Sequence, residues 1–148
     1  MEYISHSVEY TEQLAATLAL EISKRYLSGD DFVIALFGDM GMGKTAFVRG
    51  LAKGLDYTGE VTSPTFALVH EYVGGIVPLY HFDMYRVVGF DSLCSTGFFD
   101  YIDLGGIMAV EWSENIKEYL PDNALRITFS RIDDDQRKID IPNWEGFV

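Results

Sequence analysis

Hydrophobic residues follow two spacings along this chain, and the spacings predict alternating helices and strands. Within residues 7–28, leucine and isoleucine recur every three or four positions, which is typical of a helix with one buried face. The runs 32–37 and 106–110 are continuously apolar, as in strands that are buried on both faces of a parallel sheet. Residues 47–55 return to helical spacing, so a helix is expected soon after the first of these strands.

Alternating apolar and polar residues elsewhere in the chain predict β-hairpins. The arms 66–72 and 76–82 flank a Val-Gly-Gly turn, and Pro78 indicates that the second arm lies at an edge or starts irregularly. A later pair of strands, 125–130 and 137–141, is joined by an acidic turn. We expect both hairpins at the edges of the sheet.

Short helices are expected between the hairpins, at residues 98–102 and 113–119. The length of 148 residues fits one domain, 1–148. Strands that alternate with helices, followed by a β-rich end, are typical of an α/β fold. We therefore predict a mainly parallel central sheet with helices on both of its faces.

The octet Gly-Asp-Met-Gly-Met-Gly-Lys-Thr at residues 38–45 fits the phosphate-binding pattern G-x-x-x-x-G-K-[ST]. Glycines let backbone N–H groups turn towards a polyphosphate, Lys44 can pair with the β- and γ-phosphates, and the Thr45 hydroxyl can coordinate Mg²⁺. The flanking strand and helix argue against an ordinary glycine turn, and we predict a small single-domain P-loop NTPase. The residues expected to contact ATP are Gly38, Asp39, Met40, Gly41, Met42, Gly43, Lys44, Thr45 and Ala46.

Two acidic residues end predicted strands and are candidates for catalysis. Glu111 follows the run 106–110, where a Walker-B carboxylate belongs, and parallel pairing with 32–37 would bring it to the octet. Asp83 ends the other strand. Either residue alone is more often simply solvated, but both together beside a phosphate loop favour function. We predict catalytic roles for Asp83, Glu111 and Lys44, with Mg²⁺ held by Thr45, Glu111 and Asp83, the last directly or through water.

Ser63, Pro64 and Thr65 lie between the helix after the octet and the next strand, where a γ-phosphate switch lies in many hydrolases of this class. An ordinary Ser-Pro turn is the alternative. Trp112 adjoins Glu111 and is interpreted either as packing or as a partner contact.

Two further polar residues have more ordinary interpretations. His81 is interpreted as a satisfied core histidine. Arg86 either offsets phosphate charge or forms a surface ion pair.

Charge and composition narrow the class of partner. Eleven basic and twenty-three acidic residues give a net charge of −12, which disfavours stable binding to a nucleic-acid backbone. The acidity fits either a partner with a basic patch or solubility alone. No apolar run reaches the roughly 20 residues of a membrane span, no export signal is visible, and the single Cys94 fits a reducing compartment. We expect a cytoplasmic protein without membrane contact.

Three other functions compete with an ATPase. A small P-loop kinase needs a lid and clustered arginines, and the arginines here are scattered. A GTPase is disfavoured because D-x-x-G at residues 103–106 precedes its strand and no Asn-Lys-x-Asp motif exists. A non-catalytic, nucleotide-gated interaction module stays open, with Asp83 and Glu111 arguing against it.

Four motifs in order carry a family resemblance: the octet, Ser63-Pro-Thr-Phe, His81-Phe-Asp-Met-Tyr-Arg and Glu111-Trp112. Over about residues 7–141 the chain resembles the bacterial tRNA threonylcarbamoyladenosine biosynthesis ATPases of the TsaE/YjeE family. The resemblance implies a cytoplasmic ATPase that is weak alone. It would bind the threonylcarbamoyl-transferase protein and its paralogous partner subunit, and would activate or reset that complex. It would meet tRNA only indirectly, through the complex that modifies adenosine 37.

The resemblance also implies roles for single residues. Asp83 would be essential for hydrolysis, Glu111 would help to bind the metal, and residues 63–65 would form the first switch. Thr11 and Arg137 would lie near the adenine. Met42 departs from the family, which usually has alanine there, but this position contributes its backbone.

Overall fold

Seven strands join into one mixed sheet in the computed structural model, which describes residues 1–27, 32–39, 41–59, 69–142 and 144. The strands are β1 (Glu2–Ser5), β2 (Phe32–Phe37), β3 (Val69–Tyr72), β4 (Leu79–Asp83), β5 (Ile107–Glu111), β6 (Leu125–Arg131) and β7 (Arg137–Asp140). The helices are α1 (Val8–Leu27), α2 (Lys44–Gly54), α3 (Gly89–Ser95) and α4 (Phe98–Leu104), with a 3₁₀ helix at Ser113–Tyr119.

The strand order across the sheet is β1-β7-β6-β2-β5-β4-β3. The central strands β6, β2, β5 and β4 are parallel neighbours, whereas β3, β7 and β1 join in antiparallel fashion at the two sides. This arrangement confirms the predicted α/β class with a mainly parallel centre and hairpins at the edges. The first predicted hairpin is β3–β4 and the second is β6–β7.

Alternate residues of β2 supply the hydrophobic core on both faces of the sheet. Ile34 and Leu36 pack in a cluster that includes α1 and α2. Val33 and Ala35 pack in a second cluster that includes α3, α4 and the 3₁₀ helix. Since all four side chains are buried, the continuous apolar run is explained, and the prediction of helices on both faces is confirmed.

Several element boundaries differ from the sequence prediction for local reasons. β1 was not predicted, because it has only four residues and Ser5 is the one that is buried. The second arm of the β3–β4 hairpin begins at Leu79 instead of residue 76, since Pro78 has no N–H to donate; its carbonyl accepts from Ile107 at 2.9 Å. Residues 66–68 of the first arm lie outside the described residues.

The helices agree with the prediction at α1 and differ from it in two places. α1 matches its predicted span, and Ser7 caps it by accepting a hydrogen bond from the Tyr10 N–H at 3.0 Å. The predicted helix at 113–119 is a 3₁₀ helix, and α3 was not predicted. Among the described residues, no helix combines the length and the apolar content that a membrane crossing requires.

Glycines bring α2 into close contact with α1. A Cβ at Gly50 would lie 2.2 Å from the Glu12 carbonyl oxygen, and one at Gly54 would lie 2.4 Å from the Ala16 carbonyl oxygen. Real Cβ atoms do not approach backbone this closely, so the helix spacing requires glycine at both positions. The separation of the two helices is therefore set by backbone against backbone.

An ion-pair cluster also joins the two helices. The Glu12 carboxylate accepts hydrogen bonds from Arg49 Nε at 2.9 Å and from Lys53 Nζ at 3.0 Å. These bonds, that from Arg49 first, lower the pKa of the Glu12 carboxyl below its ordinary value. The Glu12 side chain is only 17% exposed, so the cluster adds a polar contact to the glycine-mediated packing of α2 on α1.

We expect Gly50→Ala to lower the free energy of unfolding by about 1–3 kcal/mol, because the methyl group must displace α1. Urea unfolding measures the loss. The control is Thr17→Ala on the exposed side of α1, which should stay within about 0.5 kcal/mol of the wild type. Equal stability of the two variants would contradict the tight helix contact.

Candidate functional site

The octet forms the loop between β2 and α2, and its glycines are required for different structural reasons. Gly38 has φ 138°, and a Cβ there would lie 2.7 Å from the Phe129 carbonyl oxygen in β6. Gly41 and Gly43 have φ 80° and 99°, in the left-handed region, and a Cβ on either would meet nothing within 4 Å. The loop therefore packs closely against the sheet at Gly38 and leaves open space in front of Gly41 and Gly43.

The first turn of α2 is suited to an anion. Gly43 is the N-cap residue of the helix and, as a glycine, has no side chain that could accept from the first N–H groups. The N–H groups of the first turn and the helix dipole both favour negative charge at this point. A loop that leaves space there, followed by an eleven-residue helix, fits a bound phosphate.

Lys44 begins α2 and is only 4% exposed. Its ammonium donates to the Gly38 carbonyl and lies 4.3 Å from the centre of the Trp112 ring. The Gly38 N–H in turn donates to the Glu114 carboxylate at 2.8 Å. A carbonyl and an aromatic face thus compensate the buried charge at the loop.

A cavity of about 490 Å³ opens in front of the loop. It brings together the octet and the two strand-end carboxylates that the sequence singled out. Its lining consists of Val8, Gly41, Gly43, Lys44, Thr45, Ala46, Arg49, Asp83, Glu111 and Trp112.

A smaller hollow of about 270 Å³ shares Val8, Gly41, Gly43 and Ala46 with this cavity. Thr11 and Arg137, the residues that the resemblance places near adenine, both line it.

Both of those residues also have structural contacts. The Thr11 hydroxyl lies 2.7 Å from the Ser5 hydroxyl. Arg137 Nη1 donates to the Asp133 carbonyl at 2.7 Å and to the Gln136 carbonyl at 3.0 Å, in the β6–β7 turn. Arg137 therefore shapes the wall of the hollow by holding this turn.

Asp83 and Glu111 are direct neighbours at the carboxyl ends of the parallel strands β4 and β5. Asp83 is half-buried, and its Oδ1 accepts a hydrogen bond from the Tyr85 N–H at 2.9 Å. Burial is the main cause that raises the pKa of Asp83, and the charge of Glu111 adds to it; the Tyr85 N–H, His81 and Lys44 oppose the rise. Asp83 is consequently a better proton acceptor than a fully solvated aspartate.

His81 lies in β4 and is 0% exposed, as a core histidine should be. Its Nε2 is hydrogen-bonded to Glu111 Oε2, a contact that sequence reasoning missed. Its Nδ1 has no hydrogen-bond partner among the described residues, so the prediction of a satisfied histidine holds for one nitrogen only. The signal that could have indicated the contact is the i, i+2 spacing of His81 and Asp83, which places both on one side of the strand.

Trp112 has φ 58°, an uncommon conformation for a bulky side chain. Its ring lies 5.0 Å from the Tyr85 ring and also covers the Lys44 ammonium. Asn115 donates to the carbonyls of Met84 at 2.7 Å and Tyr85 at 3.0 Å, which ties the segment after β4 to the 3₁₀ helix. Trp112 is thus both packed and part of the cavity wall; its contact with a partner stays a prediction.

The remaining predicted site residues lie away from the larger cavity or outside the described part. Asp39 is exposed, and Met42 lines the smaller hollow. Met40 and the predicted switch, Ser63, Pro64 and Thr65, lie outside the described residues.

The donor set suits magnesium better than a metal that is bound by protein alone. Among the described residues, no three His, Cys, Asp or Glu side chains cluster closely enough to hold a metal ion. Mg²⁺ usually takes one or two carboxylates together with waters and substrate phosphates. Thr45, Asp83 and Glu111 around one cavity fit that requirement.

Comparisons with known proteins agree on one family. The family model described as threonylcarbamoyl adenosine biosynthesis protein TsaE matches residues 5–139. A Bacillus subtilis protein named tRNA threonylcarbamoyladenosine biosynthesis protein TsaE is 44% identical over 72% of this chain and 66% of its own length. A Rickettsia bellii protein of the same name is 32% identical over 95% of this chain and 93% of its own length.

One solved structure is similar over nearly the whole chain. The crystal structure of YdiB from Bacillus subtilis superimposes with a TM-score of 0.71 at 33% sequence identity. The match covers 95% of this chain and 83% of that structure. The chain spans just under two thirds of the Bacillus subtilis TsaE relative, and so its sequence similarity leaves about a third of that relative unmatched.

We expect Asp83→Asn to stabilise the chain at neutral pH in magnesium-free buffer. Because the pKa of Asp83 is raised on folding, the folded state binds more protons than the unfolded state between the two pKa values. The contribution of Asp83 to stability is therefore present below its unfolded pKa of about 3.9 and is lost as the pH rises through the folded value. Asparagine removes that loss and keeps an oxygen for the Tyr85 N–H.

Urea unfolding of both proteins at pH 7 and near pH 4 measures the effect, which should shrink at the lower pH. Asp122→Asn, at an exposed position, serves as the control. A gain that is equal at both pH values would show that Asp83 is not destabilised by its charge.

Proposed function

The chain belongs to the TsaE family of threonylcarbamoyl adenosine biosynthesis proteins, and on that basis we propose that it is a Mg²⁺-dependent ATPase supporting tRNA threonylcarbamoyladenosine formation. Its turnover would activate or reset the threonylcarbamoyl-transferase protein and its paralogous partner subunit. The observation that carries the proposal is a single cavity lined by the phosphate-loop residues, the Lys44 ammonium and the Asp83 and Glu111 carboxylates.

Phosphate binding would use the Lys44 ammonium and the backbone of the loop and of the first turn of α2. The Lys44 ammonium would exchange its bond to the Gly38 carbonyl for the β- and γ-phosphates of ATP. The open space before Gly41 and Gly43 leaves room for the phosphate chain against the loop backbone and the first turn of α2. The smaller hollow, walled by Thr11 and Arg137, would take the nucleoside.

Metal binding would use Thr45 and Glu111, with Asp83 taking part directly or through water. Bound Mg²⁺ supplies charge neutralisation for the phosphates during transfer. The carboxylates and the Thr45 hydroxyl lie on different elements, and the parallel pairing of β4 with β5 keeps the two carboxylates together.

Asp83 is the better candidate for orienting the attacking water. It is half-buried, its pKa is raised, and its Oδ1 is held by the Tyr85 N–H. A carboxylate in this state accepts a hydrogen bond from water and directs the oxygen lone pair towards phosphorus. Glu111, by contrast, is already engaged by His81.

Arginine placement supports a low rate for the chain alone. Among the described residues, Arg49 is the only arginine that lines the larger cavity, and its Nε is bonded to Glu12 at 2.9 Å. An arginine that is free to reach the transition state contributes 10³–10⁵ in rate in other phosphoryl-transfer enzymes. A partner protein would therefore supply the missing charge or reposition Arg49.

We expect Lys44→Ala to abolish ATP binding and Asp83→Asn to leave it nearly intact. Loss of the ammonium removes charge-assisted hydrogen bonds of about 1.5–3 kcal/mol each, so the Kd should rise at least about 100-fold. Asp83→Asn should lower kcat about 100-fold or more, as loss of a positioned base does. Calorimetry measures binding, and phosphate release in the presence of the transferase complex measures turnover.

Lys117→Ala, at an exposed lysine that lines neither the cavity nor the hollow, is the control and should bind ATP normally. Normal hydrolysis by Asp83→Asn with the partners present would show that the catalytic assignment is wrong. ATP binding by the wild type without any turnover would favour a nucleotide-gated interaction module instead.

We also expect the purified chain to hydrolyse ATP slowly and the transferase complex to raise the rate. Steady-state phosphate release, with the Lys44→Ala preparation as the background for contaminating ATPases, measures both. Fast turnover by the chain alone, unchanged by the complex, would contradict partner dependence.

A further inference from the structure

We propose that His81 is a positioning residue that fixes the Glu111 carboxylate for magnesium. This inference rests on the proposed Mg²⁺-ATP function. The ring of His81 would hold one carboxylate oxygen, Oε2, so that Glu111 presents the other oxygen, Oε1, in a constant direction.

The surroundings of His81 keep its ring in place. β4 lies between β3 and β5, and His81 pairs in register with His70 on one side and Ala109 on the other. The ring is 0% exposed, and the Tyr72 ring lies 6.4 Å from it, centre to centre. A fully buried side chain in a close-packed core has little room to move away from Glu111.

The hydrogen bond between the two residues has a defined direction. An ionised carboxylate only accepts, so Nε2 of His81 carries the hydrogen that reaches Glu111 Oε2. The Glu111 side chain is only 9% exposed, and the bond therefore lies in a largely dry environment where it is strong. Glu111 thus has little freedom to rotate.

Among the described residues, the bond to Glu111 is the hydrogen bond that orients the His81 ring. Nδ1 is buried and has no hydrogen-bond partner among the described residues. Buried polar atoms are normally paired, and an unpaired one costs free energy that an apolar side chain would avoid. A buried histidine whose paired nitrogen holds a candidate metal ligand fits a functional role.

The two carboxylates consequently have different mobility. Glu111 is held at Oε2 by a buried ring, whereas Asp83 is half-buried and held by one backbone N–H. Groups that hydrogen-bond to a metal ligand orient it and typically contribute 10–100-fold to metal affinity or activity. Glu111 is therefore the fixed metal ligand, and the more mobile Asp83 orients the attacking water.

The test compares His81→Gln with His81→Leu. Glutamine can place an amide N–H near the position of Nε2, whereas leucine has no donor. At a constant, subsaturating ATP concentration, the Mg²⁺ concentration for half-maximal ATP binding should rise about 10–100-fold in His81→Leu and less than about 3-fold in His81→Gln. ATP binding in the presence of EDTA should be equal in all three proteins.

The control for general damage to β4 is Phe82→Leu, which loses buried packing one residue away. It should lower the Tm and leave the Mg²⁺ dependence unchanged. If His81→Leu does not fold, His81→Asn replaces it, since its amide is too short to reach Glu111 but keeps the site polar. In a Glu111→Gln background, losing the His81 donor should add nothing to the change in Mg²⁺ dependence.

The outcomes separate this inference from the function on which it rests. Wild-type Mg²⁺ dependence in His81→Leu, or in His81→Asn where that variant replaces it, would overturn the positioning role. Equal shifts in the donor-less variant and Phe82→Leu would also overturn it. Wild-type protein that binds ATP without any response to Mg²⁺ would overturn the proposed function and the inference together.

Discussion

Parallel pairing of β2, β5 and β4 brings the carboxyl ends of these three strands together at one end of the sheet, and the candidate site depends on this arrangement. The loop leaves β2 at that end, and Asp83 and Glu111 end β4 and β5 beside it. Strands that ran in opposite directions would place these groups at opposite ends of the sheet. The helices on both faces support this arrangement by burying the central residues of these strands.

Charge in the site is balanced only in part. Lys44 has a carbonyl and an aromatic ring as its neighbours, and no carboxylate contacts its ammonium among the contacts described above. Asp83 and Glu111 lie side by side, and burial together with that proximity raises the pKa of Asp83. Two neighbouring, partly buried carboxylates repel each other and lower the stability of the folded chain. A bound cation would relieve that repulsion and stabilise the folded state.

Local patterns in the sequence were sufficient to predict where the loop lies and that Asp83 and Glu111 end neighbouring strands beside it. The octet, its flanking strand and its helix are contiguous, and Glu111 directly follows an apolar run. Contacts between distant positions were not predictable in this way: His81 meets Glu111 across 30 residues, and Gly38 meets Glu114 across 76. Such pairs depend on strand order and side-chain direction, which spacing along one chain does not contain.

Residues from opposite ends of the chain line the smaller hollow. Thr11 belongs to the first helix and Arg137 to the last strand, yet they wall the same hollow, and β1 pairs with β7 beside them. The motifs that carry the family resemblance end at Trp112, so a fragment cut after that point would retain all of them and lack one wall of this hollow. The octet therefore does not contain the whole candidate site, and grafting it into another scaffold would transfer the loop without the hollow that Thr11 and Arg137 line.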